Sequence, residues 1–437
     1  KVLVAFPEAF RPQLGEPLTA GFHVDPEGSY LITGAFGGFG KVVAQWLVEA
    51  GARDLVLMGR SGAESPEAAT FVSRLRDRGV KVTVFRADVG SSEDVARVMT
   101  TVRSGNRPLK GVFHLAMVID DAPLAALTRD RMRSVLAPKA RGAWLLHQAT
   151  QDLKLDCFVM FSSVSSVFGN PGQGNYAAAN ALLDSLAHHR RALGLPALTI
   201  NWGALGGEGY VARNERVAEF LAKQGTGELS PREVVELMES SLAANSDQVI
   251  AIRVDWAKWR QAFRSMQERP LLERIFAGIE GQETTGAVSD YRQRIESAAP
   301  DEIEGIVGQA VREAVASVLR VKPESLRDDQ PLTDLGLDSL MGVEIENTLD
   351  ASLGVALPPA SLTRARTIGQ IVTLIAESMG AKRTGASPTK KTAVKETREQ
   401  SSTEEVDLTA LSDDEIASLL GEDASAEKAA DERDVVH

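Results

Sequence analysis

Between residue 29 and about residue 260, short apolar β-branched runs alternate with amphipathic stretches of helical period. The runs fall at 30–32, 55–57, 82–85, 112–115, 158–161, 198–200 and 249–252. Short strands with no polar alternation are buried on both faces, and the helices between them supply the covers. The pattern predicts a Rossmann-like α/β fold, a doubly wound parallel sheet of about seven strands.

Beyond residue 300 the period changes. Ile303, Ile306, Val307, Ala310, Val311, Ala314, Val315 and Val318 make one apolar stripe at helical spacing. Residues 301–380 therefore read as a small all-α domain of four-helix type, and 266–300 as the linker before it, with 281–286 as its break. Residues 381–405 are Lys, Thr, Ser and Glu with few apolar side chains, which predicts a flexible linker. Leu408, Leu411, Ile416, Leu419 and Leu420 then gather in a terminal segment, 406–437. Residues 1–28 precede the first run of the sheet; they open without Met, inside a strand-like stretch, and have no signal-peptide layout, so the chain reads as a piece of something longer.

Composition narrows the function classes. Among 437 residues, 48 Lys and Arg face 60 Asp and Glu, a net charge of −12. That balance argues against non-specific nucleic-acid binding, which needs a positive field over phosphates. The single cysteine, Cys157, cannot form an intrachain disulfide and suits a reducing, cytoplasmic setting. No apolar run is long enough to predict a membrane span.

The first run ends at Thr33 and passes into Gly34-Ala35-Phe36-Gly37-Gly38-Phe39-Gly40, then a helix. Glycines Gly34, Gly37, Gly38 and Gly40 between strand and helix permit a tight turn and close approach of a pyrophosphate to backbone N–H groups. The second run ends in Gly59-Arg60-Ser61, where an NAD site would carry an acid for the ribose 2′-OH. Arg60 and Ser61 suit a 2′-phosphate, so NADPH is the expected cofactor. After the third run, Asp88 and Val89 are placed to meet the adenine, or Asp88 to cap the helix starting near Ser91.

Ser163 ends a strand, Tyr176 follows thirteen residues later, and Asn180 lies one helical turn beyond Tyr176. Lys139 stands upstream in Ala137-Pro138-Lys139. With the glycine loop, this set resembles the ketoreductase branch of the short-chain dehydrogenase superfamily, as built into modular polyketide synthases. Asn at 180 and Lys at 139, in place of a Tyr-x-x-x-Lys arrangement, mark that branch. The resemblance implies reduction of a β-keto thioester by hydride, with Tyr176 protonating the ketone oxygen. A phenol is a poor acid near neutrality unless its anion is stabilised, a role for the Lys139 ammonium. Ser163 would hydrogen-bond the same oxygen, and Asn180 would hold a water or backbone group of the proton relay. Where many relatives carry Gly, this chain has Met117, which either crowds the cofactor ribose or turns aside.

Val118-Ile119-Asp120-Asp121 resembles the Leu-Asp-Asp motif of B-type ketoreductases, and Phe168 stands where A-type enzymes carry Trp. The resemblance implies a D-configured hydroxyl, with Asp120 and Asp121 in stereocontrol. Ala179, where epimerising enzymes often have Pro, implies no epimerisation. Residues 203–227 read as a lid.

Leu335-Gly336-Leu337-Asp338-Ser339-Leu340 resembles the attachment motif of acyl carrier proteins, with 4′-phosphopantetheine carried on Ser339 by a phosphopantetheinyl transferase. Asp334, Asp338, Glu344 and Glu346 would offer basic partner enzymes an acidic face. Ser412 and Glu415 fit a capping box. The leucine cluster behind them resembles C-terminal docking motifs that join consecutive synthase subunits. The opening Lys1-Val2-Leu3-Val4 resembles the closing strand after an enoylreductase. A non-catalytic scaffold and a free-standing fatty-acid-type reductase are the competing readings; the four-residue set speaks against the first, the fused carrier against the second.

Overall fold

The computed structural model describes residues 2–5, 22–207, 215–262, 290–299, 302–319, 321–331 and 367–383, with single helical residues at 272, 275, 276, 341, 342, 345, 348, 349, 352 and 353. Ser339 and the 406–437 segment lie outside the described residues.

The strands are β1 (Val2–Ala5), β2 (Ser29–Thr33), β3 (Asp54–Gly59), β4 (Lys81–Arg86), β5 (Leu109–His114), β6 (Cys157–Ser163), β7 (Leu198–Trp202), β8 (Thr226–Gly227) and β9 (Gln248–Val254). Eight of them run parallel in one sheet, in the order β1-β9-β7-β6-β5-β2-β3-β4. The two-residue β8 pairs antiparallel with the end of β9. The seven apolar runs thus became β2 to β7 and β9. The additional parallel strand is the opening segment, with Val2 to Ala5 in register with Val249 to Ile252.

The chain leaves β2 toward β3 and β4, then returns to the other side of β2 as β5. This reversal opens a crevice at the carboxyl ends of β2 and β5, where α/β sheets bind ligands. Helices α1 (Gly38–Glu49), α2 (Pro66–Asp77) and α3 (Ser92–Arg103) make the first crossovers. Ser65 and Ser91 start α2 and α3 by accepting the amides of Ala68 and Asp94. On one face Val43, Trp46 and Leu47 pack against Tyr30, Ile32, Leu55 and Phe113. Trp46 meets Phe113 edge-on at 5.8 Å between ring centres. Cys157 is buried in this same core, and burial pushes its thiol well up.

On the other side of β5 stand α4 (Arg129–Leu136), α5 (Gly142–Gln148), the single turn α6 (Ser165–Phe168) and the long α7 (Gly174–Ala192). Arg190 of α7 is fully buried, its guanidinium 3.9 Å from the Phe158 ring centre and bonded to His147 Nδ1 at 3.1 Å. Burial lowers that guanidinium to about 10 and His147 to about 3. The domain continues through α8 (Glu215–Lys223), α9 (Pro231–Ala243) and α10 (Trp256–Ala262).

The helical unit holds its own core. In α11 (Asp290–Ser297), α12 (Ile303–Leu319) and α13 (Ile368–Arg383), Ile295, Val307, Val311, Val315, Ile371 and Ile375 are buried together. The stripe read from sequence is the buried face of α12. Asp290–Ser297 falls in the segment expected as linker, yet Ile295 joins this core, so the helical unit reaches back to Asp290. Arg312 grips Asp328 with two bonds of 2.9 and 2.7 Å. Among the described residues no helix is long and apolar enough to cross a membrane.

Candidate active site

One cleft of about 1220 Å³ runs along the carboxyl ends of the strands. Its first wall is the loop from Thr33 to Gly40, where Gly34, Gly37, Gly38 and Gly40 all face the cavity. Gly34 has φ +66°, and a Cβ there would stand 2.8 Å from the Ala116 amide nitrogen. A Cβ on Gly40 would lie 2.3 Å from the Gly34 carbonyl oxygen. The bare backbone therefore closes the turn and starts α1 with Gly37 at its cap, leaving first-turn N–H groups toward the cleft. Such a cradle fits a dinucleotide pyrophosphate.

Arg60 and Ser61 are exposed at the end of β3 and line the same cleft. Asp88 and Val89 line it after β4. Asp88 caps no helix: Ser91 does, accepting the Asp94 amide at 3.3 Å. Asp88 Oδ1 instead accepts the Gly90 amide at 2.9 Å and shapes the turn.

Lys139 is buried, 3% exposed, in a π-helical turn at Ala137–Arg141. Such a turn inserts an extra residue into a helix and re-aims its side chains. The Lys139 Nζ donates to Tyr176 Oη at 3.4 Å and lies 4.8 Å from the ring centre. Tyr176, near the start of α7, points its hydroxyl at Met117 Sδ, 3.8 Å away. Met117 lines the cleft, and its thioether meets the phenol. Ser163 lines the cleft at the end of β6, and its Oγ accepts the Ser165 amide at 3.2 Å, which leaves its own O–H as a donor.

Asn180 is fully buried and does not line the cleft. Its Nδ2 donates to the Tyr176 carbonyl at 2.7 Å, so the group it holds is backbone of α7. Its own main-chain carbonyl accepts from Ser162 Oγ at 3.2 Å. Behind it Asn201 Nδ2 donates to Ser162 Oγ at 3.1 Å and to Asp184 Oδ2 at 2.7 Å. This buried net clamps α7 to β6 and β7.

The two aspartates part company. Asp120 pairs with Arg131 at 3.0 Å, away from the cleft. Asp121 lines it and accepts from Gln173 Nε2 at 2.9 Å. Partial burial raises the Asp121 carboxyl, against the Gln173 hydrogen bond that lowers it; Asp120 adds a small upward push. Of the lid segment, residues 208–214 lie outside the described residues, while Val217 and Leu221 of α8 face the cavity.

His114 was not among the site residues expected from sequence. Buried at the end of β5, its Nε2–H donates to the Lys139 carbonyl at 2.8 Å, so Nδ1 is the acceptor for Thr33 Oγ1–H at 2.7 Å. Burial lowers this imidazole to about 4, which keeps it neutral. A His at the end of a strand that feeds a cofactor crevice was the signal available.

This geometry has counterparts. Residues 28–207 match the KR domain family and residues 309–375 the phosphopantetheine attachment site family, a span that includes Ser339. The chain belongs to the polyketide synthases. It is 35% identical over 390 residues to a phenolphthiocerol/phthiocerol polyketide synthase of Mycobacterium tuberculosis, covering 89% of this chain and 17% of that protein. It is also 35% identical to a type I polyketide synthase of the same organism, Pks1, whose name includes the word inactive, over 88% of this chain and 24% of that protein. Among solved structures, an A-type ketoreductase of a modular polyketide synthase shares 37% identity at a TM-score of 0.56, over 60% of this chain and 55% of that one. The chain thus spans about a sixth of the first of these relatives. A ketoreductase domain followed by a carrier domain is the coarse identity of this segment.

Proposed function

We propose that the reductase domain uses NADPH to reduce a carrier-bound β-ketoacyl thioester to a β-hydroxyacyl thioester. The observation that carries this reading is the Lys139 Nζ at 3.4 Å from Tyr176 Oη, in one cleft with the glycine loop. Bound along Gly34 to Gly40, the cofactor would supply the hydride. Tyr176 gives its proton to the ketone oxygen, and the Lys139 ammonium stabilises the phenolate left behind. Ser163 donates to the same oxygen and fixes its direction. Asn180 holds the first turn of α7, and Tyr176 with it, through the carbonyl bond. Arg60 and Ser61 take the 2′-phosphate, with Asp88 and Val89 bordering the adenine end.

Asp121, at the mouth of the cleft, supports a B-type outcome with a D-hydroxyl; Asp120 serves by holding α4 through Arg131. Ser339 carries 4′-phosphopantetheine, installed by a phosphopantetheinyl transferase. Leu408, Leu411, Ile416, Leu419 and Leu420 dock the chain on the next synthase protein, in a cytoplasmic assembly.

The test is the full chain with NADPH and a diketide β-keto thioester. Loss of nicotinamide absorbance is expected, with a single D-hydroxyl product on chiral chromatography. An inert cleft that still binds NADPH would favour the scaffold reading. A product of the opposite configuration would remove the B-type assignment alone. Mass spectrometry of the Ser339 peptide after treatment with a transferase and coenzyme A should show the added arm.

A further inference from the structure

Sulfur in the reductase domain is mostly sealed away. Cys157 is buried in the sheet core with its thiol proton firmly held. Met58, Met99, Met160 and Met238 are each at most 3% exposed. Met379 of the helical unit is buried too, and Met132 and Met341 are half-buried. Met117 differs. It is 40% exposed, the most open methionine among the described residues, and it lines the cleft.

Its Sδ lies 3.8 Å from Tyr176 Oη, the same oxygen that accepts from Lys139 Nζ at 3.4 Å. A thioether is a weak acceptor, so a phenol O–H resting on it is readily given up to a better one. In the proposed reductase reading the substrate ketone is that better acceptor. A change that turns the sulfur group into a strong acceptor reverses the preference.

We propose that Met117 is a modification site for peroxides: its oxidation to the sulfoxide ties the Tyr176 hydroxyl to residue 117 and stops ketone reduction. The loss of turnover rests on the proposed reductase reading; the place of oxidation rests on exposure and does not. The thioether sulfur attacks one oxygen of hydrogen peroxide. An S–O bond forms, the O–O bond breaks, and the departing hydroxyl takes the remaining proton and leaves as water. Sulfur gives up two electrons and the peroxide takes two. The product is polar and carries an acceptor oxygen in place of a lone pair. Methionine has three rotatable bonds, so that oxygen can turn onto Tyr176 Oη. The phenol then donates to its neighbour rather than to the ketone. Methionine sulfoxide reductases reverse the step with thiols, which become a disulfide while the oxygen leaves as water.

The test treats the full chain with excess hydrogen peroxide, stopped at intervals with catalase. Each sample is digested with trypsin for mass spectrometry and assayed with NADPH and a diketide β-keto thioester. Peptide 111–129, in which Met117 is the sole methionine, should gain one oxygen before the peptides of Met58, Met99, Met160 and Met238 do. Reduction should fall in step with that mass gain, by about a hundredfold or more at full oxidation, the contribution of a positioned acid. Met117→Leu, compared with its own untreated rate, should keep its activity through the same exposure. The two epimer-specific sulfoxide reductases with dithiothreitol should return mass and rate together. A peptide 111–129 that stays unmodified while the buried methionines gain oxygen overturns the site. Full oxidation of Met117 with the rate unchanged, or equal inactivation of Met117→Leu, overturns the tie to Tyr176. An untreated chain that reduces no ketone removes the reductase reading, and the peptide masses still decide the oxidation site.

Discussion

His114 holds the main chain of Lys139: the imidazole Nε2–H reaches the Lys139 carbonyl at 2.8 Å while Nδ1 accepts from Thr33. The strand that opens the glycine loop and the π-turn that carries the lysine are therefore braced by one neutral ring. Replacing that ring by Phe keeps its bulk and removes both bonds. His114→Phe should lower kcat/KM by about tenfold to a hundredfold, mainly in kcat, the scale of positioning effects exerted through a neighbour. His114→Asn, which can still bond one neighbour, should recover part of the loss. A KM effect with unchanged kcat would contradict the positioning role.

Acid stability follows from two buried rings. His114 and His147 titrate in the fold at about 4 and about 3, against an ordinary 6.5. Below 6.5 the unfolded chain binds more protons than the folded one, so stability is full above that pH and falls as the pH drops toward 4. For His114 alone the loss should be roughly 3 kcal/mol. Urea unfolding of the wild type at pH 7 and pH 5 should show it, with a shallower slope in His114→Phe.

Tyr176→Phe keeps the ring beside Lys139 Nζ and deletes the hydroxyl aimed at Met117. Reduction of a diketide thioester should fall by about a hundredfold or more, the contribution of a positioned acid. NADPH titration by nicotinamide fluorescence should be unchanged. Turnover near the wild-type rate would remove Tyr176 from the acid role.

Arg60 is exposed at the end of β3, lines the cleft and, in the proposed reading, takes the place of the acid of an NAD site. Arg60→Ala should raise the KM for NADPH by about tenfold or more and leave that for NADH within about twofold, because a charge-assisted bond to phosphate is lost in one case only. Parallel changes for both cofactors would contradict a 2′-phosphate contact.

Gly40 leaves no room for a side chain, with the Gly34 carbonyl oxygen 2.3 Å from where its Cβ would stand. Gly40→Ala must open the loop. A destabilisation of about 2 kcal/mol or more is expected, with loss of cofactor binding, measured by thermal unfolding with and without NADPH.

The fold was largely legible because burial on both faces writes strands as apolar runs. That signal found β2 to β7 and β9 and the stripe of α12. It missed the pairing of Val2–Ala5, since four residues carry little pattern and their partner lies far along the chain. In and behind the cleft, residue types at short spacing were readable: the glycine loop and Tyr176 in its wall, and Asn180 buried behind it. What came from through-space packing was not. The π-turn under Lys139, the imidazole between Thr33 and Lys139, and the sulfur facing Tyr176 each depend on which strand ends meet. Asn180 shows the limit in one residue: its spacing put it on the tyrosine's face, while its amide turned back to the helix's own carbonyl.

Cys157, the one sulfhydryl in 437 residues, sits sealed in the sheet with its proton firmly held. Maleimides and iodoacetamides need an accessible thiolate, so the native chain gives them almost nothing to attack. A cysteine introduced on the rim of the cleft or on the helical unit would then be the sole labelling point. Dyes, spin probes or crosslinkers could follow the passage of the carrier without first engineering away a background.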